Sequence, residues 1–159
     1  MPKFINASLA RTLSRQARTE VRLAQDGEMI QAGQVLLAPS EQHCTFAGNR
    51  MLRLAPGPQV NFVCPSIDVT MQSLTAPPGR QRLIGVLLTG MGRDGAAGLA
   101  HLKNLGALTI AQNQATCAVY GMPAEAVKLG CVDHVLSPER MARLIAQEVG
   151  SSRAGQAAA

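Results

Sequence analysis

The sequence predicts a doubly wound α/β fold, a mostly parallel sheet with helices on both faces and a β-hairpin insertion near residues 42–54. Three observations carry this. Short apolar runs alternate with segments of helical period along most of the chain, which is the pattern of βαβ units. One run, Leu83 to Leu88, feeds a glycine-dense turn, Thr89-Gly90-Met91-Gly92-Arg93-Asp94-Gly95, and a helical pattern follows it. Strand, tight turn and helix N-terminus is the place where α/β proteins put their ligands. Two short strand-like runs flank Gly48-Asn49, and that dipeptide marks a hairpin.

In chain order, Asn6 reads as the cap of a helix running to about Arg18, with Leu9 and Leu13 inward. Val21 to Ala24 and Gln34 to Ala38 read as short strands, and Cys44 to Phe46 with Met51 to Leu54 as the hairpin. Pro56-Gly57-Pro58 is a loop. Ser66 caps a helix through about Leu74, whose Ile67, Met71 and Leu74 share a face. Pro77-Pro78-Gly79 breaks it. The strand at 83–88 leads to a helix at 96–104, with Gly106 as its C-terminal glycine. After a strand at 107–111, Pro123 starts a helix that Gly130 ends. Ser137-Pro138-Glu139 starts the last helix, with Met141, Leu144, Ile145 and Val149 as its apolar stripe. Residues 1–149 are expected to form one domain and the small, polar segment 150–159 a disordered tail.

Composition narrows the class. A chain of 159 residues suits one domain with a real core. With 47% hydrophobic and only 3% aromatic residues, that core is aliphatic. No apolar run approaches a membrane span, and Met1-Pro2-Lys3 lacks the apolar region of a secretory signal behind it. The expectation is a cytoplasmic protein without membrane insertion. Cys44, Cys64, Cys117 and Cys131 show no close spacing, so no zinc site, other metal site or disulfide framework is expected, and no cofactor. The net charge is +5, with Arg11, Arg15, Arg18 and Arg22 spread along the first helix and strand. A nucleic-acid binder wants such a cluster with aromatic partners. The chain has no Trp and one Tyr, so a solvated helix face is the reading and no nucleic-acid partner is expected.

Asp94 is the one carboxylate in the glycine turn. Gly90-x-Gly92-x-x-Gly95 matches the dinucleotide fingerprint, yet a fixed carboxylate would repel pyrophosphate at that helix N-terminus. The acid expected about 20 residues on is missing, because the next strand ends in Gln112-Asn113-Gln114. A second reading makes Asp94 a simple N-cap of the helix beginning near Gly95.

A third reading comes from resemblance. Leu88-Thr89-Gly90-Met91-Gly92-Arg93-Asp94-Gly95-Ala96-Ala97-Gly98 resembles the signature of the CheB-type chemotaxis methylesterase domain. The likeness continues through Thr109-Ile110-Ala111-Gln112-Asn113 and Ala115-Thr116-Cys117-Ala118-Val119-Tyr120-Gly121-Met122-Pro123, then Glu125-Ala126, Gly130 and Val132-Asp133. Upstream, Ala24-Gln25-Asp26-Gly27-Glu28, Gly33, Leu37-Ala38-Pro39 and Pro65-Ser66-Ile67-Asp68-Val69 keep the same order and spacing. The two glycine-methionine blocks together are specific, and the likeness covers nearly all of residues 1–148.

The resemblance implies a serine hydrolase that removes methyl esters from glutamates of methyl-accepting chemotaxis receptors, and often deamidates their glutamines. It assigns Asp94 as the acid of a Ser-His-Asp triad and Met91 as a neighbour of the active site. The basic surface would meet the acidic helices of the receptor. In that family the nucleophile lies in an early Ser-Thr-Gly-Gly turn, and the histidine in a Gln-His just before a Met-Pro. Here Met1-Pro2 opens the chain. The expectation is therefore a domain truncated at its N-terminus, carrying the Asp but not the nucleophile, oxyanion groups or His, and without a receiver domain. His43, His101 and His134 read as surface or structural residues, and Ser66 and Ser137 as helix caps. The rival from another class is a degenerate, non-catalytic module that docks on receptors, and a dinucleotide-binding domain is the remaining alternative.

Overall fold

In a computed structural model the structure describes residues 3–17, 19–78 and 82–157. Two compact units emerge, Met1–Thr75 and Ala76–Ala159.

The first unit opens with α1, Lys3–Ala17, followed by the parallel pair β1 (Val21–Leu23) and β2 (Val35–Leu37), in register Val21 with Val35. Asn6 lies inside α1 and is buried, so it is not the cap that the sequence suggested. The hairpin β3 (His43–Ala47) and β4 (Met51–Ala55) pairs His43 with Ala55 and Ala47 with Met51. Its turn holds Gly48 at φ 61° and Asn49 at φ 60°, the left-handed region that these two residue types tolerate best. Cys44 and Leu52 of the hairpin bury against Ala24, with Leu36, Ala38, Phe46 and Leu54 packed around them. The short α2 (Ile67–Gln72) packs on β3 and is capped as predicted, the Ser66 hydroxyl accepting from Val69 N–H.

The second unit is a parallel three-stranded sheet in the order β5 (Ile84–Leu87), β6 (Leu108–Gln112), β7 (His134–Leu136). The crossovers between successive strands carry α3 (Ala96–Asn104) and α4 (Met122–Lys128), both packed against β6 and against each other. Leu87, Leu99, Leu102, Ile110, Ala111 and Ala126 form the aliphatic core that the composition implied. α3 closes as predicted: Gly106 N–H donates to the Lys103 carbonyl and Ala107 N–H to the Leu102 carbonyl, a Schellman motif with the glycine at φ 78°. The mixed α/β architecture with parallel strands, helices and a hairpin is the predicted one.

The last helix, α5, spans Pro138–Ala157 and takes its first bond from Met141 N–H to the Ser137 carbonyl. Arg18, Gly79, Ala158 and Ala159 lie outside the described residues.

Candidate functional site

The chemistry-bearing turn sits beyond the C-terminal end of β5. Asp94 is 6% exposed there, one residue ahead of the α3 N-cap. The cap position itself is Gly95, at φ 89°. Asp94 is thus not the N-cap residue, because the chain has to pass through a left-handed conformation that glycine takes without strain. Its carboxylate still stands where the helix dipole favours negative charge. Met91 is 86% exposed, and Leu88 and Val119 are exposed apolar side chains in the same part of the second unit.

The turn is held by a second loop, residues 119–122. Gly90 N–H donates to the Val119 carbonyl at 3.1 Å, and the Gly90 carbonyl accepts from Gly121 N–H at 3.2 Å and Met122 N–H at 2.9 Å. A Cβ on Gly121 would lie 2.7 Å from the Gly90 carbonyl oxygen and 3.0 Å from Gly92 N. Gly121 permits close approach of two backbones, and Gly90 makes room for the Met122 side chain. The Gly90 amide and carbonyl therefore already have partners within the chain.

Gln112, which the sequence shows as a polar strand end where a dinucleotide site would have an acid and as part of the likeness block, is the buried keystone of this region. Its Oε1 accepts from Thr89 N–H at 2.8 Å, and its Nε2 donates to the Thr116 carbonyl at 2.9 Å. Thr89 Oγ1 in turn donates to the Val119 carbonyl and accepts from Val119 N–H, at 3.1 and 3.0 Å. A polar residue closing an otherwise apolar strand was the signal available in the sequence.

His101 is seven residues after Asp94 within α3, roughly 10 Å along the helix axis. His134 is exposed on β7. His43 lies in the first unit and is buried as the first residue of β3, rather than in a loop. Its Nδ1 accepts from Ser66 N–H at 3.3 Å, so the proton resides on Nε2, which faces the Pro58 carbonyl at 2.9 Å. Both nitrogens serve the backbone. Ser66 caps α2, as predicted.

Charge elsewhere is used structurally. Lys103 and Asp133 form an ion pair, and Thr109 N–H donates to the same carboxylate at 3.0 Å. The Lys103 ammonium, and after it the Thr109 amide, hold the Asp133 carboxyl down at about 2. Arg22 pairs with Glu28 at 2.6 Å and is not part of a solvated basic stripe. Arg11 and Arg15 are exposed. Burial pushes the Cys44 and Cys131 thiols up, which makes them inert. Among the described residues no group of His, Cys, Asp and Glu is arranged to hold a metal, and no helix is long and apolar enough to cross a membrane.

The fold and this turn have counterparts. The chain aligns with a protein-glutamate methylesterase/protein-glutamine glutaminase of Symbiobacterium thermophilum, 43% identical over 150 residues, 94% of this chain and 41% of that protein. It aligns with a Pseudomonas aeruginosa protein, protein-glutamate methylesterase/protein-glutamine glutaminase 2, at 42% identity over 158 residues, 98% of this chain and 45% of that one. It therefore spans less than half the length of these curated relatives. The crystal structure of the Thermotoga maritima CheB methylesterase catalytic domain superposes with a TM-score of 0.80 at 33% identity, covering 91% of this chain and 79% of that one. The family model for CheB methylesterase matches residues 1–145, and on these grounds the chain belongs to the CheB methylesterase family.

Proposed function

We propose that this chain is the Asp94-bearing part of a protein-glutamate methylesterase, a serine-type ester hydrolase, with glutamine deamidation as a companion activity. The observation that supports the reading most is the placement of Asp94: buried, at the C-terminal end of a parallel strand, in a turn clamped by hydrogen bonds, within a chain that belongs to the CheB methylesterase family. In this role Asp94 accepts a hydrogen bond from a histidine Nδ1–H. It fixes the tautomer and stabilises the imidazolium while a serine oxygen attacks the ester carbonyl and methanol leaves. Water then releases the glutamate carboxylate. The serine and histidine of this triad are not assigned to residues of this chain, and Met91 borders the cleft. The partners are methyl-accepting chemoreceptors, with their acidic helices facing Arg11 and Arg15, and the setting is the cytoplasm.

The test is methanol release from methylated receptor by three chains: residues 1–159, a version extended upstream through a Ser-Thr-Gly-Gly turn and a Gln-His, and the extended Asp94→Asn variant. Turnover is expected from the extended wild type alone. Substantial turnover by residues 1–159 would overturn the triad assignment. No turnover by any of the three would favour the non-catalytic docking module.

A further inference from the structure

The β5–β6 register ends where Leu87 lies opposite Ala111. One residue on, Gln112 pairs through its backbone with Leu136 of β7, while the chain beyond β5 turns into Thr89 and the glycine turn. Openings of this kind at the carboxyl ends of parallel strands are where α/β folds hold ligands. The Gln112 side chain bridges the opening. It is 4% exposed, and both ends of its amide are used. Oε1 accepts from Thr89 N–H at 2.8 Å, while Nε2 donates to the Thr116 carbonyl at 2.9 Å and lies 3.2 Å from the Thr116 hydroxyl. A buried amide is costly unless it is paired in this way, so its partners fix its orientation.

What the bridge holds is the root of the Asp94 turn. Thr89 carries the brace onward: its hydroxyl donates to the Val119 carbonyl and accepts from Val119 N–H, and Gly90 is bonded to the same loop through both its amide and its carbonyl. Between this root and Asp94 the chain faces solvent, with Met91, Gly92 and Arg93 all exposed. Gly92 and Gly95 stand at φ 86° and 89°, and glycine reaches many other conformations at little cost. A glycine-rich, solvent-facing turn takes its precision from the two ends at which it is anchored. One end is the start of α3. The other is the Thr89–Gly90 root that Gln112 holds.

A carboxylate that orients a catalytic base has to be held within about 0.5 Å of its productive position by the residues that support it. We propose that Gln112 is a positioning residue for Asp94: by taking the Thr89 amide across the opening between β5 and β6, it fixes the root of the glycine turn and with it the reach of the Asp94 carboxylate toward its histidine. The inference rests on the triad reading of Asp94. Gln112 acts through the turn and not on the substrate, so its removal should affect the chemical step more than substrate binding.

The experiment measures kcat and KM for methanol release in the upstream-extended chain, as wild type, Gln112→Met, Thr89→Val, Asp94→Asn, and the double variant Asp94→Asn with Gln112→Met. Met matches Gln in length and removes its hydrogen bonds. Gln112→Met should lower kcat by about 10²-fold, the usual effect of a misplacement of about 1 Å, with KM little changed. In the Asp94→Asn background the same change should lower kcat no further, because groups that act as a unit are non-additive. An independent structural loss would add in both backgrounds. Thr89→Val, at an exposed position, cuts only the hydroxyl link to Val119 and should lower kcat by a smaller factor, which keeps the test open if Gln112→Met fails to fold. In residues 1–159, hydrogen exchange followed by ¹⁵N-correlated NMR should show the Thr89 amide losing protection in Gln112→Met while Ile110 keeps its own. Wild-type kcat in a folded Gln112→Met chain or in Thr89→Val, an equal loss in the Asp94→Asn background, or unchanged Thr89 exchange would each overturn the positioning role and leave the triad reading standing. No turnover by the extended wild type, or full turnover by Asp94→Asn, would overturn the triad reading and this inference with it.

Discussion

Serine, histidine and aspartate come together in the first unit, and only an aspartate marks the turn in the second. The contrast shows what makes a catalytic residue. His43, Ser66 and Asp68 are all buried, yet the hydroxyl of Ser66 caps α2, the two nitrogens of His43 serve the backbone, and Asp68 accepts from Asn61 Nδ2 at 2.7 Å. Each group has a structural partner: the hydroxyl serves a helix end and the imidazole serves backbone. Asp94 stands instead beyond the end of a parallel strand, where α/β folds open toward ligands. Residue types alone would have ranked the two regions the other way.

The largest effect that could break this comparison is catalytic. In the upstream-extended chain, Asp94→Asn should lower methanol release by about 10⁴-fold, since an amide holds the histidine in the wrong tautomer. His43→Gln in the same chain should leave turnover per folded molecule unchanged and lower only the melting temperature. If the His43 variant lost turnover in a folded protein, the first unit would have to be read as catalytic.

The next effect probes the clamp that holds the Asp94 turn. Gly121→Ala puts a Cβ 2.7 Å from a backbone oxygen, and backbone cannot step aside, so a cost of about 3 kcal/mol is expected, the upper end for overpacking. Gly90→Ala puts a Cβ against the Met122 thioether, at 2.2 Å from Sδ. That flexible side chain can swing away, so the cost should be nearer to 1 kcal/mol. Urea midpoints of the two variants check the order, and the reverse order would mean that the loop and turn do not approach as described.

A smaller loss tests the first unit. Ser66→Ala removes the cap of α2 and should cost about 1 kcal/mol in urea unfolding. No loss at all would detach Ser66 from its structural role.

Much of this was legible in the sequence, and the reasons differ by region. The second unit could be read element by element, because its apolar runs and glycine stops are unambiguous: α3 starts at Ala96 and Gly106 follows its end. Asp94 could be singled out as the one acid in a glycine turn. Three things were hidden. Asn6 looks like a cap, since cap preference is a local rule, but the pairing with Ser40 arises 34 residues away. His43 looks like a loop residue because Gln42-His43 is polar, although pairing with Ala55 makes it a strand residue. Gln112 carries no motif of its own, and its role exists only once Thr89 and Thr116 converge on it.

The smallest effect lies at the opposite end of the sheet from Asp94, where Asp133 ties the start of β6 to the start of β7. Its carboxyl titrates at about 2 in the folded chain, held down by Lys103 and the Thr109 amide, against about 3.9 when unfolded. A folded value below the unfolded one means that the native state binds fewer protons across this interval. The contribution is therefore complete above about pH 4 and is lost as pH falls from there toward 2. The full shift would be worth over 2 kcal/mol, but Lys103 stays 41% exposed, and solvent screening reduces an exposed pair to about 1 kcal/mol. Asp133→Asn should accordingly lower stability by about that amount at pH 7 and match the wild type near pH 2, with the difference shrinking as salt is added. A stability gap that persisted at pH 2 would show that Asp133 acts through packing rather than charge. Lys103→Met supplies the complementary readout, because it removes the first cause of the depressed carboxyl and leaves the Thr109 hydrogen bond, so the acid limb should move upward in pH without disappearing.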